Sequence, residues 1–389
     1  MDRKDGSNHK ETSEIWKQNE KQTDQEKSTA FGNMLERSLN ATYLSMGLTL
    51  GGELGLFDRI LEQDSLTCQE LAEKSQTKQC FVNEWLGLMV SSGIIDCIPD
   101  SDPERYFIAD YKKSSLQGQY SWLAWAKELS GYFKTYDTVS QCFKLSGPRG
   151  VDRNQLDAFY DFYENMDKES ADKWSEMKST FAQIPGLIQN FENGIEALDV
   201  GCGGGNIFIS LALQFPKSTF YGVEISEKAL QVARKNAENC GVKNIKFIVA
   251  DATNLPKEWT GKFKYVHTSH VHHDSSRPRK VTSEIFRVLA SKGSLSIFEN
   301  GTNGRHGDKS SDPNYLMGYF ISTFACVPNA TYDEKAEEPL GVYVSKRTII
   351  KMMEDCGFSA SVVGGEDKSI ESPVHNHGST ILHYHGLKN

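Results

Sequence analysis

A glycine-rich segment directly after a short apolar stretch constrains the fold of this 389-residue chain more than any other feature. The letters LDV (198–200) lead into GCGGG (201–205), and a helical pattern begins immediately afterwards. Glycine lets the backbone pass close to a ligand, and the N–H groups at the start of a helix can bind an anionic group. A strand, a glycine loop and a helix in this order predict a ligand-binding turn, and a plain tight turn is the alternative.

The residues around this loop distinguish between two kinds of ligand. A dinucleotide-binding fold normally completes the pattern G-x-G-x-x-G, whereas this chain has Asn206 where the last glycine would stand. It also carries Asp199, two residues before the first glycine. These differences favour S-adenosylmethionine over NAD.

Short β-rich segments alternate with helical patterns through the second half of the chain. The seven β-rich segments are 197–200, 219–224, 245–251, 263–269, 294–299, 359–363 and 380–385. The helical patterns are at about 205–214, 227–240, 279–290 and 346–356. Such alternation predicts a mostly parallel, doubly wound sheet. We therefore expect an α/β domain over residues 191–389, built on a seven-stranded, Rossmann-like sheet.

The preceding part of the chain predicts a smaller, mainly helical domain. Its patterns are helical over 31–50, 68–74 and 80–92 and β-rich over 94–98 and 105–108. Thr67, followed three residues later by Glu70, forms a capping box that opens the second of these helices. Helix, turn, helix and hairpin is the order of a winged helix, which we assign to residues 30–118.

Two further segments complete the predicted organisation. Residues 1–29 mix basic and acidic side chains without an apolar core, so we expect a disordered tail rather than a secretory signal. Residues 119–190 are rich in aromatic side chains. We expect them to form helices that link the two domains and cap the substrate pocket.

Two acidic residues end the strands that follow the glycine loop. Glu224 ends the second strand, where a carboxylate can accept hydrogen bonds from both hydroxyls of a ribose. Asp251, followed by Ala252, ends the third strand, where an acid can accept from an adenine amino group. The alternatives are an ordinary strand-end acid and an ordinary turn cap. Together with Asp199 these acids favour a nucleoside-containing ligand, because parallel strands present their carboxyl ends at one edge.

The segments 197–205, 221–226 and 247–256 resemble the successive motifs of class I S-adenosylmethionine-dependent methyltransferases. Residues 35–389 are further similar in layout to bacterial winged-helix methyltransferases and to the plant small-molecule O-methyltransferases. The phrases that carry this second likeness are at 54–57, 66–72, 82–86, 166–170 and 271–274.

The resemblance implies a set of cofactor-binding residues. They are Asp199, Gly201, Gly203, Glu224, Ile225, Asp251, Ala252 and His267. Asp199 is implied near the methionine amine, and the glycines under the cofactor. Glu224 is implied on the ribose, Asp251 with Ala252 at the adenine, and His267 against the sulfonium side.

A histidine-rich segment at the end of the fourth strand contains the catalytic candidates, His273 and Asp274. In the O-methyltransferase comparison this pair aligns with a His-Asp pair whose histidine is the base. An imidazole near its ordinary pKa could take a proton from a hydroxyl or amine during attack on the methyl group. Two alternatives remain open, since Asp274 could cap the next helix and the ring could merely stack on the cofactor. Methyl transfer depends mainly on orientation, so no strong base is required.

Metal binding is disfavoured by the same segment. Its histidines lie in a loop without a matching set of cysteine or carboxylate ligands, so we assign no metal. The histidines at 375, 377, 383 and 385 suit a half-exposed final strand and receive no role.

Charge and cysteine usage limit the partners and the compartment. The 43 basic and 52 acidic side chains give a net charge of -9, so the molecule as a whole repels polyanions. The helix at 80–92 has no Lys or Arg, which argues against DNA reading. No apolar segment is long enough to span a bilayer. Eight cysteines without a CxxC pair indicate free thiols, and hence the cytoplasm.

These features together predict an S-adenosylmethionine-dependent methyltransferase. We expect in-line transfer of a methyl group to an O or N atom of a small, partly apolar acceptor. We also expect a homodimer through the N-terminal domain, as in the resembling families, and no nucleic-acid or membrane partner. The alternatives are a non-catalytic regulator that binds S-adenosylmethionine and a winged-helix DNA-binding regulator.

Overall fold

The computed structural model describes residues 23–118, 121–156, 174–302, 313–363, 370–371 and 380–388. Most of the predicted tail, part of the predicted linker (157–173), the phrase at 166–170 and the histidines at 375 and 377 lie outside the described residues. The chain forms two compact units, Met1–Ser130 and Gly131–Asn389.

The first unit is mainly helical and carries a small sheet. Its helices are α1 (Asp24–Glu53), α2 (Leu56–Leu61), α3 (Cys68–Ser75), α4 (Gln79–Ser91) and α5 (Asp110–Leu116). Its strands are β1 (Leu66–Thr67), β2 (Asp96–Cys97) and β3 (Arg105–Phe107), antiparallel in the order β1-β3-β2. The predicted helices and hairpin of the winged helix are present, and β1 adds a third strand that was not predicted.

Capping residues set the starts of two helices in this unit. The predicted box at α3 is present, since the Glu70 N–H donates to Thr67 Oγ1 at 3.2 Å and the Thr67 N–H donates to Glu70 Oε2 at 2.8 Å. A second box, Thr23 with Glu26, starts α1. Residues 24–29 are therefore helical, although the sequence analysis placed them in the tail.

The second unit is built on a sheet whose main path has the order β10-β12-β8-β7-β4-β5-β6. These strands are β4 (Glu196–Val200), β5 (Thr219–Glu224), β6 (Ile245–Val249), β7 (Phe263–Ser269), β8 (Leu289–Thr302), β10 (Phe358–Val362) and β12 (Thr380–Lys388). The five strands from β6 to β8 are parallel, and β12 and β10 continue the sheet antiparallel. The prediction of a seven-stranded, mostly parallel path is confirmed. Two short strands, β9 (Val344–Ser345) and β11 (Ile370–Glu371), extend it.

The described helices of this unit connect and cover the strands. They are α7 (Trp174–Phe181), α8 (Leu187–Asn193), α9 (Asn206–Gln214), α10 (Glu227–Asn239), α11 (Pro278–Val288), α12 (Pro313–Ile321), α13 (Val327–Tyr332) and α14 (Lys346–Asp355). Helix α6 (Trp122–Cys142) contains the boundary between the units. A π-helical turn, Ser322–Cys326, joins α12 to α13.

Alternate residues of the central strands belong to two different apolar clusters. Leu198, Val200 and Val266 pack in one cluster, whereas Ala197 and Tyr265 pack in the other. Because successive side chains of a strand point to opposite faces, each cluster covers one face of the sheet. The sheet is thus buried on both faces, as expected of a parallel sheet in an α/β fold.

The strand order creates the position at which such folds bind ligands. From β4 the chain proceeds outward through β5 and β6 and then returns to β7, on the other side of β4. A reversal of this kind opens a crevice at the carboxyl ends of the strands. The crevice therefore lies beside the glycine loop that follows β4.

The structure was also searched for helices that could cross a membrane. Among the described residues, no helix is both long enough and apolar enough to do so.

Candidate active site

The glycine loop has a backbone that favours glycine. Gly201, Gly203 and Gly205 have φ values of 72°, 50° and 77°, in the left-handed region. A Cβ atom at Gly201 would lie 2.3 Å from the side chain of Val271, and one at Gly205 would lie 2.8 Å from the ring of Phe247. The loop is therefore a closely packed turn that larger residues would disrupt.

Asn206, which departs from the dinucleotide pattern, has a structural partner. Asn236 on α10 donates from Nδ2 to the Gly204 carbonyl at 3.1 Å and to Asn206 Oδ1 at 3.4 Å. These hydrogen bonds tie the loop and the start of α9 to the next helix.

A cavity of about 380 Å³ opens beside this loop, within the second unit. Small-molecule sites in proteins commonly have roughly 300–1,000 Å³. Five of the predicted cofactor residues line the cavity: Gly201, Glu224, Ile225, Asp251 and Ala252. Asp274 lines it as well, so the structure brings one catalytic candidate to the same cavity.

Glu224 is held in the cavity wall by backbone N–H groups. Its Oε1 accepts from Ile225 at 2.8 Å and from Ser226 at 3.1 Å, and its Oε2 accepts from the Gly203 N–H at 3.4 Å. A carboxylate has more acceptor positions than these contacts use. Glu224 can therefore accept from a ligand hydroxyl without losing its own support.

Asp251 caps a turn and also faces the cavity. It accepts from the Thr253 N–H and from Thr253 Oγ1, both at 2.7 Å, as the turn-cap alternative expects. The Arg277 guanidinium lies 3.6 Å from Asp251 Oδ2. Because Asp251 also lines the cavity, the capping role and the adenine role are compatible in this structure.

Asp199 and His267 contact each other in the interior of the sheet. His267 Nδ1 lies 2.8 Å from Asp199 Oδ1, and both side chains are buried. Neither residue, nor Gly203, is among the described residues that line the cavity. The His267 ring packs against Phe208 and Phe298. The ligand contacts implied for Asp199 and His267 thus stay predictions.

The His273 ring lies between two carboxylates. Nδ1 lies 2.5 Å from Glu299 Oε2, and Nε2 lies 3.5 Å from Asp274 Oδ1. Glu299 also accepts the backbone N–H groups of His272 and His273, at 2.8 and 3.3 Å. Glu299 is the residue that the sequence analysis missed, although it ends a β-rich segment, as do Glu224 and Asp251.

This arrangement changes the protonation of the buried His273–Glu299 pair. Burial alone would lower the pKa of His273, but the charges of Glu299 and Asp274 outweigh it and raise the pKa to about 9. Burial alone would raise the pKa of Glu299, but the facing His273 ring lowers it to about 2. The His273 ring therefore holds its proton more tightly than the sequence analysis assumed, which took the ring as a base near its ordinary pKa.

The neighbouring His272 differs from His273. Its side chain is fully buried, and neither ring nitrogen has a hydrogen-bond partner among the described residues. Burial lowers the pKa of His272 to about 4. His272 is therefore a neutral interior residue, and only its backbone N–H contributes to holding Glu299.

Comparison with protein families assigns both halves of this architecture. Residues 191–332 match the family described as "Methyltransferase domain", and residues 42–117 match the "Rv2258c-like winged HTH domain". The chain carries a methyltransferase domain. With the winged helix that precedes it, the layout is that of class I S-adenosylmethionine-dependent methyltransferases with an N-terminal winged helix, as predicted. A methyltransferase domain implies S-adenosylmethionine as the cofactor.

Individual relatives match parts of the chain. It is 44% identical over 68 residues to the ribosomal RNA small subunit methyltransferase G of Flavobacterium psychrophilum, which is 18% of this chain and 32% of that protein. The chain spans less than half the length of the curated relatives it matches.

Solved structures resemble almost the whole chain. Mitomycin 7-O-methyltransferase MmcR has a TM-score of 0.65 at 14% identity, with 94% of this chain and all of that chain covered. Human N-acetylserotonin methyltransferase in complex with SAM has a TM-score of 0.58 at 14% identity, with 92% and 97% covered. At these identities the likeness shows the fold, and it confirms the predicted fold class.

The residues of the crevice fit an adenosyl amino acid. The left-handed loop gives a close backbone approach, and the carboxylates of Glu224 and Asp251 face the cavity with acceptor capacity for hydroxyl and amino groups. These acceptors match the hydroxyl groups of the ribose and the amino group of the adenine in S-adenosylmethionine.

Proposed function

We propose that this protein is an S-adenosylmethionine-dependent methyltransferase that acts on a small-molecule acceptor. The observation that carries the proposal is a cavity lined by Glu224, Asp251 and Asp274. Predicted cofactor-binding groups and one catalytic candidate thereby share one cavity, which would bring cofactor and acceptor together as methyl transfer requires.

The cofactor would supply a methyl group on a positively charged sulfur atom, which is open to direct displacement. Glu224 would bind the ribose through the acceptor positions that its backbone contacts leave unused. Ile225 would contact the same part of the cofactor, and Asp251 with Ala252 would bind the adenine. Asp199, Gly203 and His267, which are not among the residues that line the cavity, would support this site from behind the lining.

The acceptor would lie on the Asp274 side of the cavity. Asp274 lines the cavity, and His273 lies directly behind it, held by Glu299. We propose that His273 and Asp274 orient an O–H or N–H acceptor, with His273 as the candidate general base. A base role requires a neutral His273, so the proton that its two carboxylates favour must first leave to solvent; the ring can then take the proton of the acceptor.

Described residues of the aromatic-rich linker within the second unit would contribute to this pocket, as the sequence analysis expects of that segment. Asp152 and Arg153, which belong to that segment, line the cavity. Their position supports the assignment of residues from this segment to the acceptor pocket.

A homodimer through the N-terminal unit would complete the molecule. Helix α1 exposes an apolar face whose members recur every three or four residues: Phe31, Leu35, Leu39, Tyr43, Met46 and Leu50. Each of these side chains is about half exposed, and a continuous apolar face of this kind marks an interaction surface. We propose that a second copy of the chain covers this apolar face. We also propose that the protein is cytoplasmic and has no nucleic-acid or membrane partner.

A turnover screen tests the activity. Purified protein is incubated with S-adenosylmethionine and fractions of small-molecule extracts, and S-adenosylhomocysteine is measured. We expect its formation with at least one fraction that contains alcohols or amines. Tight binding of the cofactor without product in any fraction would instead support the non-catalytic regulator.

A further inference from the structure

The strand-end acid Asp251 belongs to a chain of hydrogen bonds that begins at Arg277. The Arg277 Nη2 group donates to Thr253 Oγ1 at 2.8 Å, and Thr253 Oγ1 lies 2.7 Å from Asp251 Oδ2. All three residues line the cavity beside the glycine loop. Two side chains that were not singled out from the sequence, Thr253 and Arg277, therefore determine the surroundings of Asp251.

The chemistry of arginine sets the direction of this chain. A guanidinium group contains donors only, so Thr253 Oγ1 must accept from Arg277. A hydroxyl has one proton to donate, and with Arg277 on its accepting side that proton goes to Asp251 Oδ2. The Thr253 N–H donates to Asp251 Oδ1 at 2.7 Å. Both oxygens of Asp251 thus act as acceptors towards their own turn.

The Asp251 carboxylate retains capacity for a ligand. An ionised carboxylate has about four acceptor positions, and the two contacts with Thr253 leave others unused. The Asp251 side chain is 46% exposed, and the residue lines the cavity. A ligand group that bonds to it must therefore be a donor. An amino group satisfies this requirement, whereas a carbonyl oxygen would face another acceptor.

Arg277 is itself held in place directly before α11. Its N–H donates to Ser275 Oγ at 3.1 Å. Nε lies 3.8 Å from Asp333 Oδ2, and Nη2 lies 3.6 Å from Asp251 Oδ2. The guanidinium group is thus flanked by two carboxylates that both line the cavity. Its orientation is therefore determined from both sides.

Charge attraction is the smaller part of this arrangement. An ion pair between partly exposed side chains contributes little, and the Arg277 and Asp251 side chains are 27% and 46% exposed. Thr253, by contrast, is buried, so water does not readily replace Arg277 as the donor to its hydroxyl. The directed hydrogen bonds through Thr253 are what orient the carboxylate.

We propose that Arg277 and Thr253 are positioning residues that fix Asp251 as the acceptor for the 6-amino group of a purine. The inference rests on the proposed function, since it places the adenine of the cofactor at Asp251. It adds a source of selectivity, because a 6-oxo purine presents an oxygen where the carboxylate requires a donor. A site built to bond a donor rejects a ligand that lacks it, since the polar groups of the site are left unpaired.

Paired binding titrations test this selectivity without an acceptor substrate. The full-length protein is titrated calorimetrically with S-adenosylhomocysteine and, separately, with S-inosylhomocysteine, in which an oxygen replaces the 6-amino group. We expect wild type to bind S-adenosylhomocysteine at least about tenfold more tightly. The ratio of the two dissociation constants is the readout, because a variant that merely loosens the fold weakens both ligands alike.

Matched variants identify the chain of hydrogen bonds. Arg277→Met and Thr253→Val each break it, and each should reduce the ratio to about threefold or less. Thr253→Ser keeps the hydroxyl and should keep the ratio of wild type. The double variant should lose no more than either single variant, because both changes act on one chain. Arg279→Met, which removes an exposed arginine that pairs with Asp355, is the control with an unchanged ratio.

The outcomes separate this inference from the proposed function. A wild-type ratio near one, or the wild-type ratio in Arg277→Met and Thr253→Val, would overturn the inference while binding of S-adenosylhomocysteine still supports the cofactor site. An equal fall of the ratio in Thr253→Ser and Thr253→Val would also overturn it, because the hydroxyl would not be the cause. No binding of S-adenosylhomocysteine by wild type would overturn both.

Discussion

At the scale of single residues, Glu224 joins the cofactor crevice to the backbone that forms it. Its carboxylate accepts N–H groups of Ile225 and Ser226 at the start of α10 and also contacts Gly203 in the glycine loop. The side chain is thereby positioned before any ligand arrives. A preorganised acceptor contributes more to binding than a mobile one, because no ordering is needed.

Removal of this carboxylate should weaken cofactor binding. We expect Glu224→Ala to reduce the affinity for S-adenosylmethionine by about 1.5–3 kcal/mol, since both ribose hydroxyls lose an acceptor and the loop loses its support. Titration calorimetry measures the change. The matched control is Glu227→Ala, which removes an exposed acid that pairs with Arg234 and should leave the affinity unchanged. Equal affinity for Glu224→Ala and wild type would refute the ribose role.

The acceptor side makes a different prediction. We expect His273→Ala to lower turnover about 10²–10⁴-fold while cofactor affinity stays nearly constant, because the ring serves the acceptor and not the adenosyl group. The control is His385→Ala, a change in the last strand away from the lining of the cavity. If affinity for the cofactor fell as much as turnover, His273 would be a wall of the cofactor site.

His383 couples the stability of the fold to pH. The expectation of a half-exposed final strand is wrong at this residue, because the ring is fully buried, stacks on Phe298 and bonds to Ser296 Oγ at 2.8 Å. Burial lowers the pKa of His383 to about 3, below the ordinary value in an unfolded chain. The unfolded state therefore takes up the proton first. The contribution of His383 to stability is complete above about pH 6.5 and decreases as the pH falls towards 3.

The expected size of this effect can be measured. When the pH falls from about 7.5 to about 5, protonation of His383 in the unfolded state should lower the free energy of unfolding by about 2 kcal/mol. His383→Phe keeps the stacking on Phe298 but cannot be protonated, so its stability should fall less over this interval. Urea unfolding of both proteins at the two pH values gives the comparison. The same pH dependence in wild type and His383→Phe would show that the acid sensitivity has another source.

At the scale of elements, local sequence patterns predicted part of helix α1 and missed its start. The apolar spacing predicted the helix over 31–50, whereas the capping box at Thr23 and Glu26, which starts the helix at Asp24, was missed. The predicted capping box at α3 does start that helix. Helices α12 and α13 with the π-helical turn between them were not predicted. Segment α12 is apolar over most of its length, so it lacks the one-sided spacing that identifies a surface helix.

The apolar face of α1 yields a prediction about assembly. Leu39→Glu together with Tyr43→Glu should convert a dimer to a monomer, because two charges would be buried in the proposed interface. Both side chains are exposed in the single chain, so its fold should be unaffected. Sedimentation velocity measures the change, and Glu36→Ala serves as the control on the same helix. An unchanged dimer would place the interface elsewhere.

At the scale of the whole molecule, the order of the strands decides which residues meet. The carboxyl ends of β4, β5 and β6 were predicted to share one edge, and Gly201, Glu224 and Asp251 do line one cavity. The pair Asp199 and His267, 68 residues apart, could not be predicted, since it depends on β7 lying next to β4. Local patterns define strands, whereas contacts between distant strands arise only from the complete sheet.

The same reason explains the acceptor side of the cavity. His273 and Asp274 were identified from the sequence, but Glu299 and Cys326 reach them only through β8 and the π-helical turn. The sequence therefore predicted the lining of the cavity beside the glycine loop more completely than the surroundings of His273. The motifs beside the loop are continuous, whereas the surroundings of His273 are assembled from three separate segments.

The central claim is that the glycine loop and the strand-end acids bind S-adenosylmethionine. Calorimetric titration of the purified protein with S-adenosylmethionine tests it most directly, with NAD as the competing ligand. The account predicts one site per chain with a dissociation constant near 1 μM, which corresponds to about −8 kcal/mol, and no heat with NAD. Absence of binding to S-adenosylmethionine, or displacement of it by NAD, would contradict the account.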